Sequence, residues 1–515
     1  MNFIGTLFKR IIRAFKMNEN KSRYNLFQQK TSVLNVNDSI YTVWGLANNF
    51  QFNKPLPKDI QTRKEFNETA TIVERRYWGV NEWELEFIMT EILKNGLVGF
   101  QSQYSLKNIR CLGELTNDIR LLEDSIYSSE QIGNNDKLIF KHTFRIYHRQ
   151  FVWQMPANIC FIYRYYKIFS TDGLNQILLN KTGLTAFDIT QIGLTLLSMF
   201  MKHPFIRLPI NSQIPNVSND KIEKFISVFG ISYDGLKNKL IEVSGFDENL
   251  FYKYNPIREN PVIIINNELC CPFNTMFLWQ FTHGLYYRIN NEDGFSSSFG
   301  ISFQNYVGFI TNKAISKSFT LIPEAKYKKG KDVKDSIDWI IEDKNAYLFI
   351  ECKTKRLTLS AKSELLNDIS LNTELDKMAD FITQSYKTIS DCRNGLYTNL
   401  KYSSDKPAFL LILTLEDWFV NLHPQYFFQL EPIVINKIKN LGIDESIITT
   451  IPYFIESISG FERNIQLINH IGILPFFNKM KSNTIISEIE KFTFEDLLIE
   501  DFNKEIYLKT VDVEK

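Results

Sequence analysis

Residues 336–353 read SIDWIIEDKNAYLFIECK, two runs of mainly apolar residues separated by a short polar turn. Runs of this length, rich in isoleucine and aromatic residues, predict two antiparallel β-strands joined as a hairpin. A tight turn between them pairs Asp343 with Ala346. The same register places Asp338 opposite Glu351, whereas a shift of one residue would move Asp338 to the other face. Because opposite residues of an antiparallel pair share one face, we expect two carboxylates side by side.

Lys353 adds an ammonium group to this pair of carboxylates. It lies two residues after Glu351 on the second strand, so both side chains project from the same face. Two like charges and a lysine are costly to leave half-buried unless something uses them. Paired carboxylates suit Mg²⁺, and Mg²⁺ can polarise a phosphodiester and activate a water molecule. The ammonium can orient that water or stabilise the charge that develops on the phosphoryl oxygens.

The sequence around the hairpin predicts an alternation of helices and strands. Apolar spacing predicts a helix at 299–317, strands at 319–325, 336–342 and 347–352, a helix at 373–390, a strand at 408–415, another helix, and a last strand near 451–455. The order α-β-β-β-α-β describes a mixed sheet flanked by helices, and we expect an α/β (α+β) fold.

This arrangement resembles the PD-(D/E)XK nuclease superfamily, whose core is α-β-β-β-α-β. The family signature is an Asp on the second strand followed by Glu-x-Lys on the third. Asp338, Glu351 and Lys353 match it in identity, order and strand placement, while Ile337 stands where the name-giving proline often lies. The resemblance covers about a third of the chain, residues 299–480, and implies a restriction-endonuclease-like mixed sheet. It does not identify a specific member.

The resemblance also implies the roles of the matched residues. It implies Asp338 and Glu351 as ligands of Mg²⁺, for which Mn²⁺ can substitute, with the backbone carbonyl of Cys352 completing the set. Lys353 is implied to position the attacking water. The thiol of Cys352 is expected to point to the opposite face and to serve packing, because side chains alternate along a strand.

Three further residues are accessory candidates. Members of the superfamily often carry a Glu on the first helix as an extra ligand, and this chain offers Gln304 there. Glu324, near the end of the first strand, can serve as a peripheral acid, although a plain surface residue fits equally well. Some members carry Gln-x-x-x-Tyr on the second helix, whereas here Gln384 is followed by Thr388.

Cations crowd both sides of the hairpin in a chain whose net charge is only +1. They precede it in the loop between the first two strands and follow its second strand: Lys326, Lys328, Lys329, Lys331, Lys334, Lys355 and Arg356. Such a concentration suits contacts to the phosphate backbone of a nucleic acid, most simply DNA. A solvated lysine loop gives the same pattern.

The rest of the chain is predicted to be mainly helical. Residues 1–17 form a basic amphipathic helix, which can bind an anionic membrane surface peripherally or pack on its own protein. Within a helical region at 18–254, residues 218–242 fit a helix-turn-helix or a plain pair of helices. A connecting region at 255–294 ends at a Gly/Ser-rich break, and 295–515 form the nuclease-like domain with a C-terminal extension.

Composition excludes several classes of protein. A length of 515 residues allows roughly three domains, and 44% hydrophobic with 23% charged residues is typical of a folded globular chain. Six cysteines without a CxxC pair support neither a zinc ribbon nor a disulfide framework, and they favour a reducing cytosol. Apolar runs are far shorter than the roughly 20 residues of a membrane span, and no phosphate-binding GxxxxGK[ST] loop occurs.

The sequence therefore predicts a Mg²⁺-dependent DNA endonuclease in the cytoplasm of a bacterium. By analogy at the level of the fold, its role is restriction or anti-phage defence, with a second copy of the chain or a defence-system protein as partner. The alternative is a nucleic-acid-binding or scaffolding protein that keeps a catalytically silent nuclease-like fold.

Overall fold

Helices dominate the computed structural model, with 60% of the chain helical and 12% in strands. The structure describes residues 2–60, 79–100, 102–127, 145–150, 153, 159–210, 217–247, 249–357, 368–418, 424–481 and 494–507. The expected mixed α/β architecture with a helical N-terminal region is confirmed.

The N-terminal region contains twelve α-helices with given bounds, a helical segment at 145–150, a short 3-10 helix at Leu250–Tyr252 and four short strands. The helices are α1 (Asn2–Ser32), α2 (Val36–Phe52), α3 (Glu82–Asn95), α4 (Ile109–Ile126), α5 (Ile159–Phe169), α6 (Asp172–Thr182), α7 (Ala186–Phe200), α8 (Asn219–Phe229), α9 (Tyr233–Glu242), α10 (Pro256–Glu259), α11 (Asn274–Gln280) and α12 (Leu285–Ile289). The strands are β1 (Phe205–Arg207), β2 (Gly230–Ser232), β3 (Val262–Ile265) and β4 (Glu268–Cys270), and they form one sheet in the order β1-β4-β3-β2.

Helix α1 is longer than the sequence predicts. The sequence predicts a helix at 1–17, but the helix runs unbroken to Ser32. Tyr24 and Phe27 on this helix are buried in the N-terminal cluster, an apolar core shared with α2–α4, α9 and β3. Most polar residues at 18–24 are exposed on this continuous helix, but Asn20 is buried and its Oδ1 accepts the Ser125 hydroxyl at 2.7 Å. The side chains of residues 1–15, on which the amphipathic prediction rests, lie outside the described part of the chain.

The predicted helix-turn-helix corresponds to α8 and α9, but its turn is a strand. Residues Gly230–Ser232 form β2, which pairs in parallel with β3. Phe225 of α8 and Leu236 of α9 are buried, so both helices turn their apolar sides inward. The segment is a helix–strand–helix unit held in a sheet, and reading of DNA by α9 stays a prediction.

The C-terminal region contains the predicted mixed sheet. Its helices are α13 (Phe295–Ala314), α14 (Asp368–Arg393), α15 (Pro424–Asn440), α16 (Ile447–Thr450), α17 (Ile458–Ile471), α18 (Ile473–Lys481) and α19 (Phe494–Phe502). Its strands are β5 (Thr320–Pro323), β6 (Lys326–Lys329), β7 (Asp332–Asp335), β8 (Trp339–Glu342), β9 (Tyr347–Lys353), β10 (Ala408–Thr414) and β11 (Tyr453–Ser457).

Five of these strands form one sheet in the order β11-β10-β9-β8-β5. Strands β9, β10 and β11 are parallel, whereas β8 and β5 are antiparallel to their neighbours. The predicted order, α13-β5-β8-β9-α14-β10, is confirmed, with β11 at the edge. The hairpin β6–β7 is an addition, because the sequence predicts a loop for those residues.

Each face of this sheet packs on a different layer of helices. Leu348 and Ile350 of β9 enter the central cluster, which includes α5–α8, α11–α13 and α17–α19. Tyr347 and Phe349 enter the opposite cluster, which includes α14 and α15. Every residue of β10 is buried, as expected for a parallel strand covered on both faces.

Packing continues across the predicted boundary at 294–300. Gly294, at a positive φ of 73°, starts helix α13, and the central cluster takes residues from both sides of it. Arg164 of α5 forms a buried bidentate ion pair with Glu462 of α17. The Gly/Ser-rich segment is therefore the start of a helix and not a break between separate cores.

None of the described helices is long and apolar enough to cross a membrane on its own. Helices α6 and α7 reach the necessary length and composition only as a pair, which is bent by 65°. Many of their apolar residues are buried in the central cluster, although Leu179 of α6 is exposed.

Candidate active site on the β8–β9 hairpin

The register of β8 and β9 is the one that the sequence predicts. Asp343 N–H donates to the carbonyl of Ala346 at 3.1 Å, and Trp339 pairs with Ile350. Asp338 precedes the first paired residue of β8, so the same register sets it opposite Glu351. The prediction of two carboxylates abreast on one side of the hairpin is confirmed.

The side chain of Asp343 fixes this turn. Its Oδ1 accepts hydrogen bonds from the N–H groups of Asn345 and Ala346, each at 2.7 Å. Its Oδ2 accepts the N–H of Ile473 at the start of α18, at 2.8 Å. One buried carboxylate therefore closes the turn and ties it to the helical layer, and it holds the residues at the other end of the hairpin in register.

Asp338 is held against the strand that carries Glu351. Its Oδ2 accepts the backbone N–H of Cys352 at 2.6 Å. Burial and the neighbouring Glu351 carboxylate raise the pKa of Asp338 to about 7, against the opposing effects of the Cys352 N–H and the Lys353 ammonium. The two carboxylates repel each other at neutral pH, and a cation between them would relieve that repulsion.

Lys353 is paired with its neighbour on the same face. Its Nζ donates to Glu351 Oε1 at 2.6 Å and lies 5.2 Å from the centre of the Phe381 ring on α14. Burial acts to lower the pKa of Lys353, but the charge of Glu351, its hydrogen bond and the charge of Asp338 together outweigh burial, and the pKa is raised. The ammonium is therefore retained, and side-chain exposures of 21% for Lys353 and 15% for Glu351 leave both within reach of solvent.

Cys352 lies on the other face of β9, as expected from strand alternation. It packs against the central cluster, and burial together with Asp338 and Glu351 raises the pKa of its thiol well above the ordinary value. A neutral, packed thiol is not a nucleophile. The role implied for its backbone carbonyl as a metal ligand stays a prediction.

Two of the accessory candidates lie beside the site and one does not. Gln304 on α13 donates to Glu324 Oε2 at 3.1 Å, and the Glu324 charge contributes to the raised pKa of Asp338 after the larger effects of burial and Glu351. The backbone N–H of Glu324 donates to the Asp338 carbonyl at 2.8 Å. Gln384 is exposed on α14, and none of the contacts described for it reaches the carboxylates.

The lysine-rich segment is a hairpin docked on α14. Tyr327 OH and Lys329 Nζ, at 2.9 and 2.5 Å, both bond the carboxylate of Asp391. Lys329 is therefore occupied in holding the hairpin. The other predicted phosphate contacts in this segment comprise three exposed lysines and one half-buried lysine: Lys326, Lys328, Lys331 and Lys334.

The two cations that follow β9 are less available than the sequence suggests. Lys355 lies 3.3 Å from the buried carboxylate of Glu374. Arg356 is 6% exposed, and its Nη1 lies 3.1 Å from His283 Nε2 and 3.2 Å from Glu416 Oε1. The expectation of a surface phosphate contact is wrong for Arg356, because a carboxylate that follows β10 holds it inside the fold.

Two further carboxylates at this edge of the sheet were not singled out from the sequence. Glu456 lies near the end of β11, and Asp417 lies three residues beyond β10. Burial and the charge of Asp417 raise the pKa of Glu456 to about 8. The signal that could have found them is an acid at or within a few residues of the carboxyl end of a buried strand, since ligands of open α/β sheets collect at that edge.

The residues of the hairpin fit a hard divalent cation. Among the described residues, no group of three or more His, Cys, Asp or Glu side chains is placed to hold a metal ion. Mg²⁺, however, commonly takes one or two carboxylates and keeps several waters. Asp338 and Glu351 supply the two carboxylates that this mode of binding needs. Their repulsion, which contributes to the raised pKa of Asp338, is what a bound cation would relieve.

Comparison with models of known protein families, with curated proteins and with solved structures finds no match to this chain. The resemblance to the PD-(D/E)XK superfamily therefore rests on the site and on the order of helices and strands alone.

Proposed function

We propose that this protein is a metal-dependent nuclease that hydrolyses phosphodiester bonds, with DNA as the expected substrate. The observation that carries the proposal is the position of Asp338 directly opposite Glu351, with Lys353 bonded to Glu351 on the same face. Two carboxylates and an ammonium in this order on adjacent strands are also what the resemblance to the nuclease superfamily implies.

The proposed chemistry divides between the carboxylates and the lysine. Asp338 and Glu351 would hold Mg²⁺ or Mn²⁺, with the carbonyl of Cys352 as a further ligand. The bound ion would supply Lewis-acid polarisation of the phosphodiester. Lys353, kept charged by Glu351 and backed by the ring of Phe381, is placed to orient the attacking water or to stabilise negative charge on the phosphoryl oxygens.

The proposed substrate path runs along the β6–β7 hairpin. This hairpin joins the site end of β8, because Ser336 N–H donates to the Ala325 carbonyl at 2.9 Å beside Glu324. A two-stranded ribbon fits the major groove of B-DNA, and its exposed lysines can contact phosphates. Tyr327 and Lys329 would hold the ribbon on α14 while the outward lysines contact the duplex.

The second candidate function is nucleic-acid binding by a nuclease-like fold without catalytic activity, and one observation favours it. Gln304 stands where many members of the superfamily carry a metal-binding Glu, so this position on α13 adds no charge to the site. Loss of a ligand is one route by which such a domain keeps its fold and loses turnover.

Cleavage assays separate these two candidates. Supercoiled plasmid, linear duplex, single-stranded DNA and RNA are each incubated with the protein in Mg²⁺, in Mn²⁺ and in EDTA. A nuclease cuts at least one substrate with metal and none in EDTA. Binding without cutting under every metal condition would favour the silent protein and contradict the proposal.

A further inference from the structure

A cavity lies in the N-terminal region, remote in sequence from the β8–β9 hairpin. It has a volume of about 160 Å³, is open on one side and is lined by residues of α1, α3, a helical segment at 145–150, the end of α9 and the segment 243–258. None of its lining residues belongs to the site described above. An apolar cavity of about 150 Å³ holds a single benzene ring, so a volume of about 160 Å³ accommodates one aromatic ring of that size.

Aromatic rings form much of the cavity wall. The rings of Phe87 and Phe251 pack with centroids 4.8 Å apart. The other aromatic lining residues are Tyr24, Trp83, Tyr252 and Tyr254. Rings of this kind hold a planar aromatic group by offset or edge-to-face packing.

The charged residues that line the cavity are mainly cationic. The five cations are Lys94, Arg145, Arg149, Lys253 and Arg258, against the two carboxylates Glu86 and Glu91. His148 lies among them. Two carboxylates outside the lining also pair with these cations: Glu123 with Arg149 at 2.5 Å and Asp247 with Lys253 at 2.7 Å. The five cations therefore exceed these four carboxylates by one, and that excess positive charge favours an anionic ligand.

Both lining carboxylates already have several donors. Glu91 accepts bonds from four side chains: Tyr24, Gln28, Lys94 and Asn95. Glu86 accepts a bidentate pair from Arg258 and further bonds from Asn255 and Trp153. Since each carboxylate is surrounded by donors, neither is suited to hold a cationic ligand.

Two arginines lie directly against the aromatic wall. Arg145 is 1% exposed, donates to Asn249 Oδ1 at 3.0 Å and lies 4.0 Å from the centre of the Tyr252 ring. Arg149 is 5.4 and 5.5 Å from the rings of Phe251 and Tyr252. A planar guanidinium next to an aromatic ring can bind an anionic group while the ring packs on the ligand's own plane.

We propose that this cavity is a binding site for a small planar aromatic anion, a single ring system that carries a phosphate or carboxylate group. The aromatic wall packs on the ring. Arg145 binds the anion together with the remaining N–H donors of Arg149 and Lys253, which keep their pairs with Glu123 and Asp247. The proposal is independent of the nuclease proposal, since the two share no residue.

The test measures thermal stability of the full chain with defined probes. Benzoate and phenyl phosphate each combine a single benzene ring with an anion. Inorganic phosphate supplies the anion alone, and benzylamine supplies the ring with the opposite charge. We expect at least one ring-bearing anion to raise Tm by about 2 °C or more at a concentration a hundredfold above its Kd, while benzylamine has no effect.

Variants locate the binding in this cavity. Arg145→Gln should abolish the rise in Tm, and Lys253→Gln, at the half-buried rim, should weaken affinity at least about tenfold. Lys239→Gln is the matched control, because Lys239 also pairs with a carboxylate, Glu259, but does not line the cavity. If Arg145→Gln does not fold, the comparison of Lys253→Gln with Lys239→Gln decides.

Three results would overturn the proposal. One is the absence of a Tm rise with every ring-bearing anion. Another is an equal rise with inorganic phosphate alone, which would remove the aromatic part of the ligand. The third is unchanged affinity in Lys253→Gln, or equal loss in Lys239→Gln, which would place the binding elsewhere. The outcome does not depend on nucleic-acid cleavage, so failure here leaves the nuclease proposal intact.

Discussion

The carboxylate of Asp338 reaches across the hairpin to the strand that carries Glu351, where its Oδ2 accepts the backbone N–H of Cys352 at 2.6 Å. This bond holds one acid beside the other even though burial and Glu351 raise the pKa of Asp338 to about 7. The two acids therefore repel each other, and protonation or a bound cation relieves that repulsion.

The turn that sets the register should depend on Asp343. Its carboxylate accepts three backbone N–H groups, from Asn345, Ala346 and Ile473. Asp343→Ala leaves these buried donors unpaired and should lower the free energy of unfolding by about 2–4 kcal/mol. Urea unfolding measures the loss, and Asp405→Ala, in an exposed turn, is the control that should change stability by less than about 0.5 kcal/mol. Equal stability of both variants would show that the turn does not need this carboxylate.

Glu456 should make the fold less stable as pH rises. Burial and Asp417 raise the pKa of Glu456 to about 8, so between its ordinary pKa and pH 8 the folded state binds a proton that the unfolded state has lost. Stability therefore falls with pH through that window. Glu456→Gln has no proton to lose, so its stability should match wild type near pH 4 and exceed it by about 4 kcal/mol at pH 8.5.

Glu462→Gln is the matched control for Glu456→Gln. Glu462 is also buried, but it forms a bidentate pair with Arg164 and accepts the Tyr306 hydroxyl. Its replacement leaves a buried guanidinium without its counter-charge and should cost about 3–5 kcal/mol. Chemical unfolding of the two variants at pH 4 and 8.5 checks the predicted gain in stability for Glu456→Gln and the predicted loss for Glu462→Gln. A Glu456→Gln protein that is less stable than wild type at pH 8.5 would contradict the account.

The β6–β7 hairpin should dominate the salt dependence of DNA binding. Lys328→Ala removes an exposed cation from it, and removing one lysine–phosphate interaction lowers the slope of log K against log salt by about 0.9. Lys344→Ala is the control, because Lys344 is exposed in the turn at the far end of the β8–β9 hairpin. Fluorescence anisotropy with labelled duplex in Ca²⁺ measures both. An equal slope in Lys328→Ala and wild type would remove this hairpin from the proposed path.

Lys353 should serve turnover and not metal binding. Lys353→Ala should reduce cleavage by at least about 10²-fold, the scale for loss of a positioned catalytic group. Binding of Mn²⁺ measured by calorimetry should survive, because the carboxylates remain. DNA affinity should change little, since phosphate contacts by other lysines carry most of it. Cleavage at the wild-type rate would remove Lys353 from the chemistry.

Much of the site is predictable from the sequence because the periodicity of the strands determines which side chains share a face. Side chains alternate with a period of two, so the turn alone sets Asp338 opposite Glu351 and places Lys353 beside them. The function of Asp343 as the acceptor that closes the turn is not visible in the sequence, because a carboxylate that caps backbone groups looks like any polar turn residue.

Two predictions are wrong for different reasons, one because of a long-range contact and one because of the composition of the strands. The sequence places Arg356 at the surface, yet its partner Glu416 follows β10, sixty residues later, and no local pattern predicts that contact. The sequence also predicts a loop in place of the β6–β7 hairpin, because its strands are charged instead of apolar. Its turn does carry a signal, since Gly330 takes a positive φ of 65°, as two-residue hairpin loops require.

The central claim is that Asp338 and Glu351 act together through a bound divalent ion, and cleavage of plasmid DNA as a function of Mg²⁺ tests it most directly. Wild type, Asp338→Asn and Glu351→Gln are compared across a Mg²⁺ titration, with unfolding measured in parallel. We expect Mg²⁺-dependent cutting by wild type, loss of at least about 10³-fold in each variant, and no additive loss in the double variant, because the two residues act as one unit. Mg²⁺-dependent cleavage at the wild-type rate by either folded variant would contradict the claim.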